Sequence, residues 1–183
     1  MDNLIKLLIE YGALGIMLVA FAEAIFLPLP MELVSIPIYL LNTKNAFFYS
    51  ILLITFSILG SIVGYYLGKA LGKPLLNKFI SEVNFNRLRE LYSRNSFLAI
   101  MTSSFTPIPY EAYVLSAGVF NIGFKKFILA SIISRAIRHL PQGILISIYG
   151  DTILTHLKSY TLVVCLVIFS ALILIKKLLK RQP

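Results

Sequence analysis

Apolar residues run along this chain in long stretches, neither alternating as in a half-buried strand nor confined to one stripe as in a soluble helix. The elements are therefore read from where charge is absent. Residues 45–68 carry no charge over more than the about 20 apolar residues that a full membrane span needs, which predicts a transmembrane helix. Residues 160–175 form a shorter charge-free run between Lys158 and the cluster Lys176, Lys177, Lys180 and Arg181, and predict a last span. Residues 4–27 and 127–150 are long enough for two more helices. The first carries Glu23 deep inside it, and the second carries Arg135, Arg138 and His139 at its centre.

Two further apolar stretches are broken. Residues 25–41 contain Pro28, Pro30, Glu32 and Pro37, and residues 97–120 contain Pro107, Pro109, Glu111 and Gly118. Proline interrupts a helix and restrains the residue before it, so neither stretch crosses. Each is expected to enter the membrane, turn and leave by the same face, a course tolerated only where the backbone is buried in protein or lines a wet cavity. Between them, residues 73–95 are polar and charged, and read as a surface loop with one or two amphipathic turns.

The broken stretches are copies of each other. Pro28, Pro30 and Glu32 recur 79 residues later as Pro107, Pro109 and Glu111, and the same offset pairs Phe26 with Phe105, Asn42 with Asn121, Phe48 with Phe127 and Gly64 with Gly143. The repeat unit is thus a hairpin followed by a helix, with repeat 1 over about 23–72 and repeat 2 over about 97–150. If the first hairpin enters and leaves at one face, helix 45–68 carries the chain to the other, and the second hairpin starts and ends there. The repeats are expected to be inverted, the arrangement in which transporters build a site near the midplane. The fold class expected is an all-α polytopic membrane protein, one membrane domain over 1–183, its repeats flanked by first and last helices.

Composition supports lipid as the solvent. The 183 residues are 58% hydrophobic and 14% charged, against roughly 45–50% and about 25% in soluble domains, and mean hydropathy is +0.84. The net charge of +9 reads as orientation rather than as a nucleic-acid footprint. Thirteen of the 17 Lys and Arg fall on the face holding both termini and the 73–95 loop, with Lys44 and Lys158 opposite, so both termini are expected to be cytoplasmic. Lys6 is a thin leader and no Ala-x-Ala site follows it, so a cleaved signal peptide is not expected. Two His and the lone Cys165 leave little for a metal site or a disulfide, and no cofactor is expected. With no Trp, Tyr11, Tyr39, Tyr149 and Tyr160 are the candidate interfacial anchors.

Glu23, Glu32, Glu111, Arg135 and Arg138 all sit in apolar context, where each costs roughly 2.5–3.5 kcal/mol at a helix centre. They must pair or face water. Arg135, Arg138 and His139, at i, i+3 and i+4, share one helical face that should point at the hairpins. One reading makes these residues buried ion pairs that lock the hairpins. The other makes them a site for an anionic headgroup and a proton, since the Arg fork matches phosphate. Gly60, Gly64, Gly68 and Gly72 leave a bare helix face suited to close packing, within one chain or between two copies in a homo-oligomer. Gly68-Lys69 lacks the earlier glycine of a phosphate loop, since Val63 occupies that place.

The segments Glu23-x4-Pro28-x-Pro30-x-Glu32, the glycine ladder with Tyr65 and Tyr66, and Phe105-x-Pro107 leading to Ala117-Gly118 resemble the DedA family, also called SNARE-associated or VTT-domain membrane proteins, over roughly residues 10–150. The resemblance implies two re-entrant hairpins facing each other across the membrane, and lipid translocation. Bacterial members are linked to flipping of polyprenyl phosphate carriers and to processes driven by the proton motive force, eukaryotic relatives to phospholipid scrambling. It implies functional roles for Glu23 and Glu32, and a prokaryotic plasma membrane. Where most members have Arg around Phe-x-Pro, this chain has Ser104 and Glu111. Arg135 and Arg138 resemble a divergent, YqaA-like branch.

The function expected is therefore translocation of a lipid with an anionic headgroup, coupled to protons. The alternative is a structural or partner-organising membrane protein. An enzyme is not expected: Ser116 lacks a nucleophile-elbow frame, and Asp151 falls at a helix end without a paired acid.

Overall fold

The computed structural model describes residues 10–27, 30–76, 81–106 and 108–179, with side chains at 73, 75–76, 104–105 and 153–179 outside the description. Pro28 and Pro107, Lys6 and the tail beyond 179 lie outside the described residues. Helix α1, Ala13–Glu23, follows Gly12 in a positive-φ conformation (53°) and ends on its own acidic residue. At about 16 Å it is too short to span. Glu32–Leu41 forms α2 and, after a 3-10 turn over Thr43–Asn45, Ala46–Leu76 forms α3. Helix α4 covers Glu82–Met101, a second 3-10 turn Thr102–Phe105, α5 Tyr110–Val119 and α6 Phe124–Leu179. Among the described residues there is no strand, and Thr43–Gly72 is the one stretch long and apolar enough to cross a membrane.

Three expectations change at this point. Residues 82–101, most of which lie in the expected surface loop, form a helix. Ser81 Oγ caps its start by accepting from the Asn84 amide, and Asn95, in extended backbone, restarts it by accepting from the Phe97 and Leu98 amides at 3.1 Å. Phe85, Leu88 and Tyr92 bury one face of that helix against α5 and Phe120. Burial pushes the Tyr92 phenol well above its ordinary range, so it stays a donor to the Tyr113 carbonyl at 2.7 Å. The expected helices 127–150 and 160–175 run together in α6, which continues past Pro141. The first expected helix, 4–27, stops at Glu23 because the next amides turn back, those of Phe26 and Leu27 both donating to the Ala22 carbonyl.

The duplicated segments adopt the same local order: helix, proline-rich break, ten-residue helix, turn at an Asn, then long helix. Asn42 and Asn121 close the short helices at matching places but differ in backbone, φ −143° against +51°. Long helices pack across the copies. Short helix α5 of the second copy lies on α3 of the first, and α2 of the first lies on α6 of the second.

Glycine permits the first of these contacts. A Cβ at Gly68 would meet the Leu115 backbone, one at Gly64 the Val114 side chain, and one at Gly118 the backbone of Tyr65 and Lys69. Gly60 plays the same part against Phe21 of α1, and Gly143 against Ser50 and Ala46 of α3. The ladder is therefore used within one chain. Gly72 departs from it: it has nothing but its neighbour Pro74 close by, and instead bends α3 with φ 63°.

Two apolar clusters result. One gathers α5 with Tyr65, Phe127 and α4, and the other gathers Ile16, Val19, Val34, Ile38, Leu53 and Ile146 from α1, α2, α3 and α6. Leu18, Leu41 and Ile148 stay 63%, 73% and 66% exposed, an outward apolar surface that suits lipid rather than water. Replacing Gly68 by Ala should lower stability by about 1–3 kcal/mol, as overpacking does, seen as a fall in Tm of the detergent-solubilised protein. Gly123→Ala, where an added Cβ meets nothing within 4 Å, should leave Tm unchanged.

Candidate functional site

The buried charges meet where the elements of the two copies join. Glu23 ends α1 and Glu32 begins α2, so the break in the first copy holds a carboxylate on each side. Helix α6 answers with two guanidinium groups one turn apart. Arg135 Nη2 donates to Glu23 Oε2 at 2.5 Å, and Arg138 Nε donates to Glu32 Oε1 at 2.8 Å. The Arg face of this helix was expected to point at the hairpins; its two ion pairs fall on the two sides of the first break.

The two pairs differ in their access to water. The Arg135 side chain is 1% exposed, that of Arg138 34%. Arg135 also lies over the Tyr110 ring, 3.5 Å from guanidinium carbon to ring centroid, a cation–π contact that strengthens when desolvated. Tyr110 in turn shares a 2.9 Å hydrogen bond with Ser61 of α3. Its place between Pro109 and Glu111 was the available signal for this residue, and charge counting passes over it. His139 is fully buried, with Nε2 3.4 Å from Arg135 Nη1.

Glu111 is 3% exposed and sits in the first turn of α5. It forms no ion pair among the described residues. It borders a cavity of about 280 Å³ that Glu23 and Arg138 also line, with Ser103, Thr106 and Tyr110 supplying further polar groups. Pro30 and Pro109, matching residues of the two breaks, both reach this cavity. Ser103 shares a 3.1 Å hydrogen bond with Ser134 of α6, and Thr106 one of 2.9 Å with Tyr113. The cavity thus holds one partly exposed cation, a carboxylate with no ion pair among the described residues and a row of hydroxyls. No cluster of metal-ligating side chains occurs among the described residues.

A family model described as the VTT domain matches residues 29–148, a span that takes in both breaks and the Arg face of α6. A protein of Methanocaldococcus jannaschii whose title calls it uncharacterised is 35% identical over 138 residues, covering 75% of this chain and 86% of its own length. A second protein so titled, from Haemophilus influenzae, is 25% identical over 153 residues, covering 82% of this chain and 80% of its own. No solved structure matches the chain with significance.

Removing one partner of the dry pair leaves a buried charge alone, which costs about 3–5 kcal/mol. Glu23→Gln should therefore lower Tm sharply, and the double variant Glu23→Gln with Arg135→Gln should recover part of the loss in a thermal-shift measurement. Glu90→Gln should change Tm little, because it breaks only the exposed Glu90–Arg94 pair, worth about 0–1 kcal/mol.

Proposed function

The chain belongs to the VTT-domain (DedA) family, and on that premise we propose that it translocates lipids carrying an anionic headgroup, without altering them chemically, across a prokaryotic plasma membrane. The two breaks are re-entrant hairpins of an inverted repeat, with both termini in the cytoplasm. The observation that carries this reading is the cavity that Glu23 and Arg138 share with Glu111 and that residues of both breaks enclose.

Division of labour between the arginines follows from burial. Arg135, held by Glu23 and Tyr110 and out of reach of solvent, keeps the two copies in register. Arg138, one-third exposed, is the group that meets a phosphate oxygen, which takes over the place of the Glu32 carboxylate on its guanidinium. Glu32, released, and Glu111, which forms no ion pair among the described residues, then hold an excess of negative charge in a low-dielectric site, and a proton on either relieves it. Proton uptake and headgroup entry are coupled in this way. The dry Glu23–Arg135 pair also favours a locking role for those two residues, and to that extent the structural reading holds beside the transport one.

The test is proteoliposomes with fluorescently labelled phosphatidylglycerol, its movement between leaflets read by quencher access, with and without an imposed pH gradient. Wild type should exchange the lipid, and Arg138→Ala and Glu111→Gln should each slow exchange at least about tenfold, the effect of about 1.4 kcal/mol on the rate-limiting barrier. Arg94→Ala should exchange at the wild-type rate. Normal exchange in both site variants would sink the mechanism, and lipids of altered mass after incubation would favour an enzyme instead.

A further inference from the structure

Beyond the cavity, the contact between α2 and α6 contains buried polar atoms left unsatisfied among the described residues. On α2, Ser35 and Tyr39 follow Glu32 at i+3 and i+7 and are fully buried. On α6, His139 and Gln142 continue the face of Arg135 and Arg138. Ser35 Oγ, Tyr39 OH and Arg135 Nε are buried with no hydrogen-bond partner among the described residues, and the buried His139 Nδ1 and Gln142 Oε1 have no well-formed one, although the two side chains lie close enough to interact.

These atoms share one seam. Glu32 acts electrostatically on both Tyr39 and His139, and Gln142 adjoins His139. Tyr39 packs in the same cluster as Ile146, one turn beyond Gln142. The seam has two marked ends. At one, Glu32 pairs with Arg138 at the cavity. At the other, exposed end, Thr43 donates to Asp151 Oδ1 at 3.1 Å. Eleven residues of α2 and its following turn (32 to 43) and thirteen of α6 (138 to 151) separate them, roughly 16–20 Å at helical rise. With the membrane placed as proposed above, that is about half to two-thirds of a ~30 Å hydrocarbon layer, enough to run from the cavity to one membrane face.

A buried polar atom without a partner carries its whole desolvation penalty, and groups so placed in native proteins are met by ordered water. A lone orphan needs one water. A file of hydroxyl, phenol, imidazole and amide atoms along one seam needs a row of them. The face of Tyr39 that interfacial anchoring would turn outward is instead inside.

We propose that the α2–α6 seam is a hydrated conduit that carries protons between the cavity and the Thr43–Asp151 end. Each bound water takes a proton from one neighbour and passes one to the next, with Tyr39, His139 and Gln142 holding the row in place and Glu32 at its inner end. The charged and titratable groups around that end are Glu32 and Tyr39 from α2, Arg135, Arg138 and His139 from α6, Glu23 from α1, and Glu111 with Tyr110 from α5. The proposal rests on the membrane placement given above, and supplies the route by which protons reach the site.

Two measurements on the full chain in liposomes test it. Radiolytic hydroxyl-radical labelling with mass readout modifies buried side chains that touch bound water. Tyr39 and His139 should be labelled several-fold faster than Phe127, which is equally buried in an apolar cluster; labelling at the Phe127 rate overturns the conduit. In vesicles loaded with a pH-reporting dye, a potassium–valinomycin potential should drive acidification faster than in protein-free vesicles, and Tyr39→Phe and Gln142→Leu should each reduce that flux several-fold. Flux at the protein-free level in wild type, or unchanged flux in both variants, overturns proton conduction. Lipid exchange is followed in the same vesicles: its absence with proton flux intact counts against the translocation reading alone.

Discussion

A guanidinium sealed from water governs the rest of this structure. Arg135 is 1% exposed in its side chain, and a charge so placed is tolerated only with a counter-ion and aligned donors and acceptors. The carboxylate that answers it, Glu23, belongs to the opposite repeat copy, 112 residues away. The first copy's break and the second copy's long helix therefore cannot separate without exposing two unpaired charges to a low-dielectric interior. Tyr110 ties the second copy's short helix to the same point, through its ring on Arg135 and its hydroxyl on Ser61 of α3. One ion pair thus couples α1, α3, α5 and α6.

Close backbone approach supplies the second constraint. In lipid there is little hydrophobic drive between helices, so contact area and short distances decide what packs. Gly64, Gly68 and Gly118 let α5 lie against α3 with backbone touching backbone, which sets the depth at which Glu111 and Tyr110 enter the interior. The ionic and steric constraints agree: the glycine contact brings in the second break, and the Arg135 pair holds the first break to it.

Much of this was legible in residue order. The 79-residue offset located both breaks, and the absence of charge over 45–68 located the spanning helix, because both signals depend only on spacing and on the expense of charge in lipid. The i, i+3, i+4 spacing of Arg135, Arg138 and His139 implied a shared face, and the need to pair implied carboxylates opposite. What residue order did not carry was partner choice: nothing in it says that Glu23 takes Arg135 and Glu32 takes Arg138, nor that Glu111 receives neither. Tyr39 was misjudged for a related reason. Tyrosine near a helix end suits an interface as well as an interior, and only the packing of α2 on α6 decides between them. The helix over 82–101 was hidden because the buried residues of its first part, Phe85, Leu88 and Tyr92, are few and are embedded among charges that elsewhere would mark a loop.

The unequal fate of two arginines one helical turn apart is the feature most relevant to mechanism. Both come from the same face of α6, and both find a glutamate on the first copy, yet one side chain is sealed and the other is 34% exposed. The difference lies in what surrounds each guanidinium. Glu23 itself borders the cavity, but Arg135 behind it is covered by the Tyr110 ring, whereas Arg138 lines the cavity directly. A bond that has water at its edge can be exchanged for another anion's, while one without water cannot. The same geometry that fixes Arg135 leaves Arg138 accessible, and the translocation proposed above would draw both a permanent tie and an exchangeable one from a single helix face.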